Sequence, residues 1–326
     1  MMFRSLRCLV AGILVAAPSL CALAADAAHY PAHPVRMALP FPPGGSADSI
    51  SRALAERLQS RFGQPFLIEN RPGAAGNVAT RYVVKAQADG YFLLVGVTGA
   101  MTINPTLYGN LDYDPQRDLV AISMVARGPV VIVASPDSGI ATLNDMITRV
   151  KADPSKYTFA TNGVGTSHHL AAELFKQRLG LDMRNIPYKG TPEALQDIIG
   201  GRVPIGFMDL TASLPLIASG RLKALATTGT ERSTALPDVP TVSEAAAPGF
   251  AADTWVGLFA PKGTPAPVVS KLSLAINEAL REPGLRKQGE GFGLSVEGST
   301  PEALQHYVRD ETRKWKAVIT AADIKL

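Results

Sequence analysis

Two glycine-rich turns carry the residues best placed to do chemistry. Phe41-Pro42-Pro43-Gly44-Gly45-Ser46-Ala47-Asp48 follows one short apolar run, and Ala160-Thr161-Asn162-Gly163-Val164-Gly165-Thr166-Ser167-His168-His169 follows another. Each turn leads into a stretch with helical spacing, so each sets its glycines at the mouth of a helix. Such a mouth presents unpaired backbone N–H groups and the positive end of the helix dipole, which together hold a carboxylate or a phosphate. The second turn adds the Asn162 amide and the hydroxyls of Thr161, Thr166 and Ser167. A third segment, Val97-Thr98-Gly99-Ala100-Met101-Thr102-Ile103-Asn104, ends another apolar run. In an α/β sheet the loops after the carboxyl ends of strands line the ligand crevice, so all three segments can face one cleft.

Other chemistries find little support. Gly44-Gly45 lacks the G-x-G-x-x-G spacing, Gly163-x-Gly165 has His168 where the third glycine would stand, and neither turn ends in the Lys-Ser/Thr of a phosphate loop. Adjacent His168 and His169 point about 100° apart on a helix and form no chelating pair. With no H-E-x-x-H and no grouping with His29, His33 or His306, no metal is expected. His168 remains a candidate for a helix-start or pocket hydrogen bond, and His169 reads as structural. Asp48, in a first helical turn, can cap its helix or meet a ligand, and the residues leave both open. Asp209 follows a strand, where site residues gather. No G-x-S-x-G elbow occurs, and the Arg and Lys residues are scattered, so neither a hydrolase triad nor nucleic acid is indicated. No cofactor is expected.

The elements that must position these turns alternate regularly. Strands are expected at 35–40, 66–69, 91–97, 130–134, 157–160, 203–207, 222–227 and 255–260, with 186–188 extended. Helices are expected at 46–61, 74–86, 143–151, 167–179, 192–199, 267–280 and 301–317. In the first helix Ile50, Leu54, Leu58 and Phe62 recur every four residues, which makes one face against a core. Strands alternating with helices and joined by short loops predict mostly parallel sheets covered on both faces. The two glycine turns lie about 120 residues apart, so one sheet in each of two domains is the simplest arrangement, with a single large sheet as its competitor.

Composition fits that reading. The 326 residues are 46% hydrophobic and 18% charged, with 32 Lys+Arg against 28 Asp+Glu, which excludes a disordered chain, while two cysteines exclude a disulfide scaffold. Residues 1–24 read as a signal peptide. Arg4 and Arg7 open it, 9–17 is apolar, and Ala22-Leu23-Ala24 is a small-x-small site for cleavage near Ala24. Both cysteines, Cys8 and Cys21, leave with that segment, so the mature chain carries no thiol nucleophile or thiolate ligand. The expected destination is a bacterial periplasm.

Taken in order, several segments resemble the Bug family, the extracytoplasmic solute receptors of tripartite tricarboxylate transporters. They are Tyr30-Pro31-Ala32-His33-Pro34-Val35-Arg36, the Pro40–Asp48 turn, Glu69-Asn70-Arg71-Pro72-Gly73-Ala74-Ala75-Gly76-Asn77 and Gly163-x-Gly165-Thr166-Ser167-His168. Pro187-Tyr188-Lys189-Gly190, Gly200-Gly201-Arg202-Val203, Ala235-Leu236-Pro237-Asp238-Val239-Pro240-Thr241 and Pro261-Lys262-Gly263-Thr264-Pro265 continue the match over nearly the whole mature chain.

The resemblance implies an α/β Venus-flytrap receptor of the periplasmic-binding-protein type, two domains around a ligand cleft joined by two crossing strands. Domain 1 would comprise 25–127 plus 251–326, and domain 2 would comprise 128–250. The ligand would be a small carboxylate, the partners the integral-membrane permease subunits, and the receptor itself a monomer. The implied ligand-binding set is Pro43, Gly44, Gly45, Ser46 and Asp48 on one side, Thr98 and Thr102 near the hinge, and Asn162, Gly165, Thr166, Ser167, His168 and Asp209 opposite. Members commonly carry Phe-Asp where this chain reads Phe207-Met208. Period-two alternation past Met208 turns Asp209 the other way, an expectation that favours a neutral or purely anionic ligand. The alternative readings are an exported hydrolase or lyase acting on a small anion, and a ligand-sensing adaptor with the same fold.

Overall fold

The computed structural model describes residues 29–321 and residue 324. The expected signal peptide lies outside the described residues. In chain order the main elements are β1 (Val35–Leu39), α1 (Ser46–Phe62), β2 (Phe66–Asn70), α2 (Asn77–Val84), β3 (Phe92–Val97), β4 (Leu119–Ala134), α3 (Leu143–Ala152), β5 (Thr158–Thr161) and α4 (Ser167–Leu179). They continue with β6 (Arg184–Pro187), α5 (Thr191–Ile199), β7 (Ile205–Asp209), α6 (Leu210–Ala218), β8 (Lys223–Thr227), β9 (Asp253–Pro261), α7 (Ala266–Arg281), α8 (Pro283–Gly291), β10 (Ser295–Val296) and α9 (Pro301–Ala321).

The strands form two sheets that share β4. In the first lobe β2, β1 and β3 are parallel neighbours, and β3 continues through antiparallel β9 to the first half of β4. In the second lobe residues 130–134 of β4 pair with β7 on one side and β8 on the other, and β7 leads through parallel β5 to β6. The chain thus crosses between lobes along β4 and returns into β9, with Pro129 opposite Asp253. At this crossing the Thr228 hydroxyl accepts from the Val130 N–H at 2.9 Å and donates to the Ala252 carbonyl at 2.9 Å.

The period-four face of α1 is the buried face. Ile50, Leu54 and Leu58 are fully buried against the first sheet, each worth about 1.5–3 kcal/mol by removal from water. Gly63 ends the helix at φ 69°, a left-handed conformation that glycine adopts without a Cβ penalty. Helices α1 and α7 cover one face of that sheet, and α2 with Leu304 and Val308 of α9 cover the other. In the second lobe α3 and α4 pack on one face and α5 on the other. The last helix straddles both cores, since its Trp315 and Ile319 pack in the second lobe.

Several elements differ from expectation. Strand β4 begins at Leu119, eleven residues earlier than the alternation suggested, because Gly128-Pro129 sits inside a strand rather than breaking it. The expected helix at 74–86 is a 3₁₀ turn, Ala74–Gly76, followed by the shorter α2. Helix α6 forms despite Pro215, and α8 forms despite three glycines in nine residues.

Candidate functional site

The cleft lies where the two lobes face each other beside the crossing strands. From the first lobe it is lined by Phe41, Pro42, Gly45, Ser46, Ala47, Asp48, Val97 and Gly99; Thr254 and Val256 of β9 form its floor. Asn162, Thr166, Ser167, His168, Gly190, Thr191, Pro192 and Asp209 line it from the second lobe. The open space at its centre is about 30 Å³. Among the described residues no Lys or Arg lines it.

Four helices begin at this cleft: α1 at Ser46, α4 at Ser167, α5 at Thr191 and α6 at Leu210. Helix α1 has Gly45 as its N-cap with no side-chain cap, and α5 likewise begins after an uncapped Gly190. Their first N–H groups are therefore available to an acceptor from outside the helix.

That acceptor at α1 is a carboxylate. Asp209 receives the Ser46 N–H on both oxygens at 3.1 Å, and its Oδ2 accepts the Ser46 hydroxyl at 2.5 Å. Its Oδ1 also accepts from the Ala212 N–H at 3.2 Å, which caps α6. The expected orientation of Asp209 away from the cleft is corrected here. Asp209 is the last residue of β7 and the N-cap of α6, so the strand's alternation ends before it applies. Met208, the residue expected to face the ligand, is fully buried among Val131, Val133 and Ile198.

Asp48 lines the cleft with its carboxylate engaged elsewhere. It accepts from the Gly44 N–H at 3.2 Å, from Asn70 Nδ2 at 3.1 Å and from Arg52 Nε at 3.0 Å on each oxygen. Burial pushes its pKa up, but these hydrogen bonds and the Arg52 charge outweigh burial and hold it below the ordinary carboxylate value. It is a turn-holding, ion-paired aspartate.

On the opposite side Thr166 caps α4, accepting from the His169 N–H at 3.3 Å and donating to the Gly163 carbonyl at 2.8 Å. Ser167, beside it, lines the cleft, and among the described residues its hydroxyl has no hydrogen-bond partner. Asn162 donates to the Thr191 hydroxyl at 2.8 Å and lies 3.5 Å from the His168 ring nitrogens, while its buried Oδ1 has no partner. Burial holds His168 well below the ordinary imidazole range, with the Asp209 charge opposing, so the ring is neutral at pH 7. His169 is lowered to about 4 by burial, with Lys176 adding to it, and its Nδ1 accepts from the Gly165 N–H at 3.3 Å.

Five of the expected residues do not line the cleft. Pro43 and Gly44 are exposed, and the Gly44 N–H is held by Asp48. Gly165, at φ 82°, turns toward Asn104 and Tyr108; a Cβ there would stand 2.6 Å from Asn104 Oδ1. Thr98 and Thr102 are fully buried in the scaffold. The Thr98 hydroxyl accepts from the Trp255 N–H at 3.0 Å, and Thr102 donates to the Thr98 carbonyl at 2.6 Å. The reason is local. After β3 the chain coils into a π-helical turn, Gly99–Ile103, that folds these hydroxyls onto backbone.

Sequence reasoning missed Gly190, Thr191 and Pro192 at the mouth of α5. The signal was present, since a glycine followed by proline in the first helical turn marks a helix start. Among the described residues no group of three or more His, Cys, Asp or Glu could hold a metal ion, and no helix is long and apolar enough to cross a membrane.

Two lobes hinged on crossing strands, with helix mouths converging on the cleft between them, define a solute-binding protein by architecture. The profile of the tripartite tricarboxylate transporter family receptor, TctC, matches residues 50–324. The chain is 38% identical over 319 residues to protein BugT of Bordetella pertussis, spanning 97% of each chain. Rpa4515 of R. palustris, solved with adipate, superposes with a TM-score of 0.88 at 32% identity, over 91% of this chain and 99% of that one. MatC of Rhodopseudomonas palustris, solved with bound malate, superposes at 0.83 with 31% identity, over 89% and 100%. The chain belongs to the Bug family of tripartite tricarboxylate transporter receptors.

Proposed function

We propose that this chain is an exported periplasmic receptor that closes its two lobes around a small dicarboxylate and presents it to the permease subunits of a tripartite transporter. The observation that carries the reading is the carboxylate of Asp209 seated on the α1 mouth. That mouth accepts a carboxylate with the Ser46 N–H, shared by both oxygens, and the Ser46 hydroxyl. Two relatives of similar fold were solved with the dicarboxylates adipate and malate. Gly45, Ser46, Asn162, Ser167, His168 and Thr191 are the proposed contact set. Helix dipoles and backbone donors would supply the positive field that the absent cations do not. Charge-assisted hydrogen bonds of about 1.5–3 kcal/mol each supply affinity, and groups left unpaired in a closed cleft supply discrimination.

A receptor without catalysis fits the side chains better than an enzyme does. His168 is neutral, and its described hydrogen-bond contacts are with Asn162 rather than with Ser46 or Ser167, so no nucleophile–base pair forms. Action as a monomer is supported by the large exposed apolar side chains, Leu67, Val78 and Leu274, which lie on three separate elements. A thermal-shift series of mono-, di- and tricarboxylates, followed by calorimetry, tests the reading. A dicarboxylate should bind and its neutral diamide should not. Equal binding of the diamide would remove the carboxylate from the account.

A further inference from the structure

We infer that Asp209 is an internal latch: in the ligand-free receptor its carboxylate holds the anion position of α1 and draws the lobes together, and an incoming carboxylate must displace it. The inference rests on the carboxylate reading of the same cleft and adds a competitor for the position. Asp209 ends β7 in the second lobe, and Ser46 opens α1 in the first. Their contact therefore bridges the lobes, with three hydrogen bonds between 2.5 and 3.1 Å. All are buried: Ser46 is 7% exposed and Asp209 6%. The donors it uses are those a ligand carboxylate would need on that side. With Asp209 on these donors, a ligand carboxylate reaches them only by taking its place.

A second crossing contact lies two residues further along the chain. Thr211 of α6 donates its hydroxyl to the Phe292 carbonyl of the first lobe at 2.6 Å. It does not touch the α1 mouth, so a ligand would leave it intact. The two contacts make opposite predictions. Weakening either opens the empty receptor. Only the loss of Asp209 also frees the anion position, so only that change tightens ligand binding, while loss of Thr211 removes a contact that the liganded closed state keeps.

The test uses Asp209→Ser, Asp209→Asn and Thr211→Val in the full mature chain. Serine and asparagine both keep the helix cap of α6, but serine is too short to reach Ser46 and carries no charge. Small-angle X-ray scattering of the ligand-free proteins should show Asp209→Ser and Thr211→Val more open than the parent, with Asp209→Asn between. Calorimetry with adipate should show affinity raised about fivefold or more in Asp209→Ser and lowered in Thr211→Val. Unchanged scattering in Asp209→Ser, or an adipate affinity there that is equal or weaker, overturns the latch. Opening of Asp209→Ser with no heat from any di- or tricarboxylate in parent or variant would support the latch and strike the carboxylate reading instead.

Discussion

A serine at position 190 should oppose lobe closure while leaving each lobe sound. Gly190 sits at the mouth of α5 with φ −178°, extended backbone that any residue adopts. A Cβ there would stand 3.0 and 3.1 Å from Cγ and Cδ of Pro42, which belongs to the β1–α1 turn of the other lobe. Non-bonded carbons settle at about 3.5–4.0 Å, so the lobes must stand roughly half an ångström further apart or Pro42 must yield. Serine is also a better N-cap than glycine, and α5 has no side-chain cap, so the second lobe itself should not weaken. Overpacking of this kind costs about 1–3 kcal/mol. Borne by the closed state alone, that is a loss of about 5- to 150-fold in apparent affinity. The assay is calorimetry with the best carboxylate from the thermal-shift series on the parent, Gly190→Ser, and Gly190→Ser with Pro42→Ala. Truncating the Pro42 ring should restore most of the lost affinity, because the two side chains meet across the cleft. Unchanged affinity in Gly190→Ser, or a loss that Pro42→Ala does not relieve, would refute the reasoning.

Three further outcomes follow from the same geometry. Thr98→Val leaves the Trp255 N–H without its acceptor inside the scaffold, so stability should fall by about 1–3 kcal/mol in denaturant titration, with ligand affinity of the folded protein unchanged. Because burial lowers His169 from 6.5 to about 4, its contribution is whole above pH 6.5 and disappears as pH falls through 4; denaturation across that window should lose ~3 kcal/mol that His169→Asn recovers. Asp253 at the hinge runs the other way: burial raises it from 3.8 to about 6, so its share of stability is whole below 3.8 and lost by pH 6. Asp253→Asn should therefore be the more stable protein by ~3 kcal/mol at pH 7.5, with little difference below pH 4.

The parts of this protein readable in the sequence are those governed by local periodicity. The four-residue spacing of Ile50, Leu54 and Leu58 places α1 and its buried face, and the glycine pair before it places its mouth. The strand–turn–helix sequence near Thr161 places α4 in the same way. What escaped depends on where elements end and what they meet. Nothing in the alternation of β7 tells that it stops at Asp209, so period two alone points that side chain away from the cleft it bridges. Thr98 and Thr102 carry ligand-like hydroxyls, and only the π-helical turn after β3 shows them facing backbone. Strand β4 serves both lobes, and the strain of reading a strand through Gly128-Pro129 hid its first half. The convergence of four helix mouths is a tertiary fact, since Ser46 and Asp209 are 163 residues apart.

A crystal structure of the mature protein grown with saturating dicarboxylate reaches the central claim most directly. The account predicts one ligand carboxylate on the Ser46 N–H and hydroxyl, Asp209 moved off them, and the far end of the ligand near Ser167, His168 and Thr191. A dicarboxylate bound on an outer face, or held in the cleft with Ser46 still paired to Asp209, would contradict it.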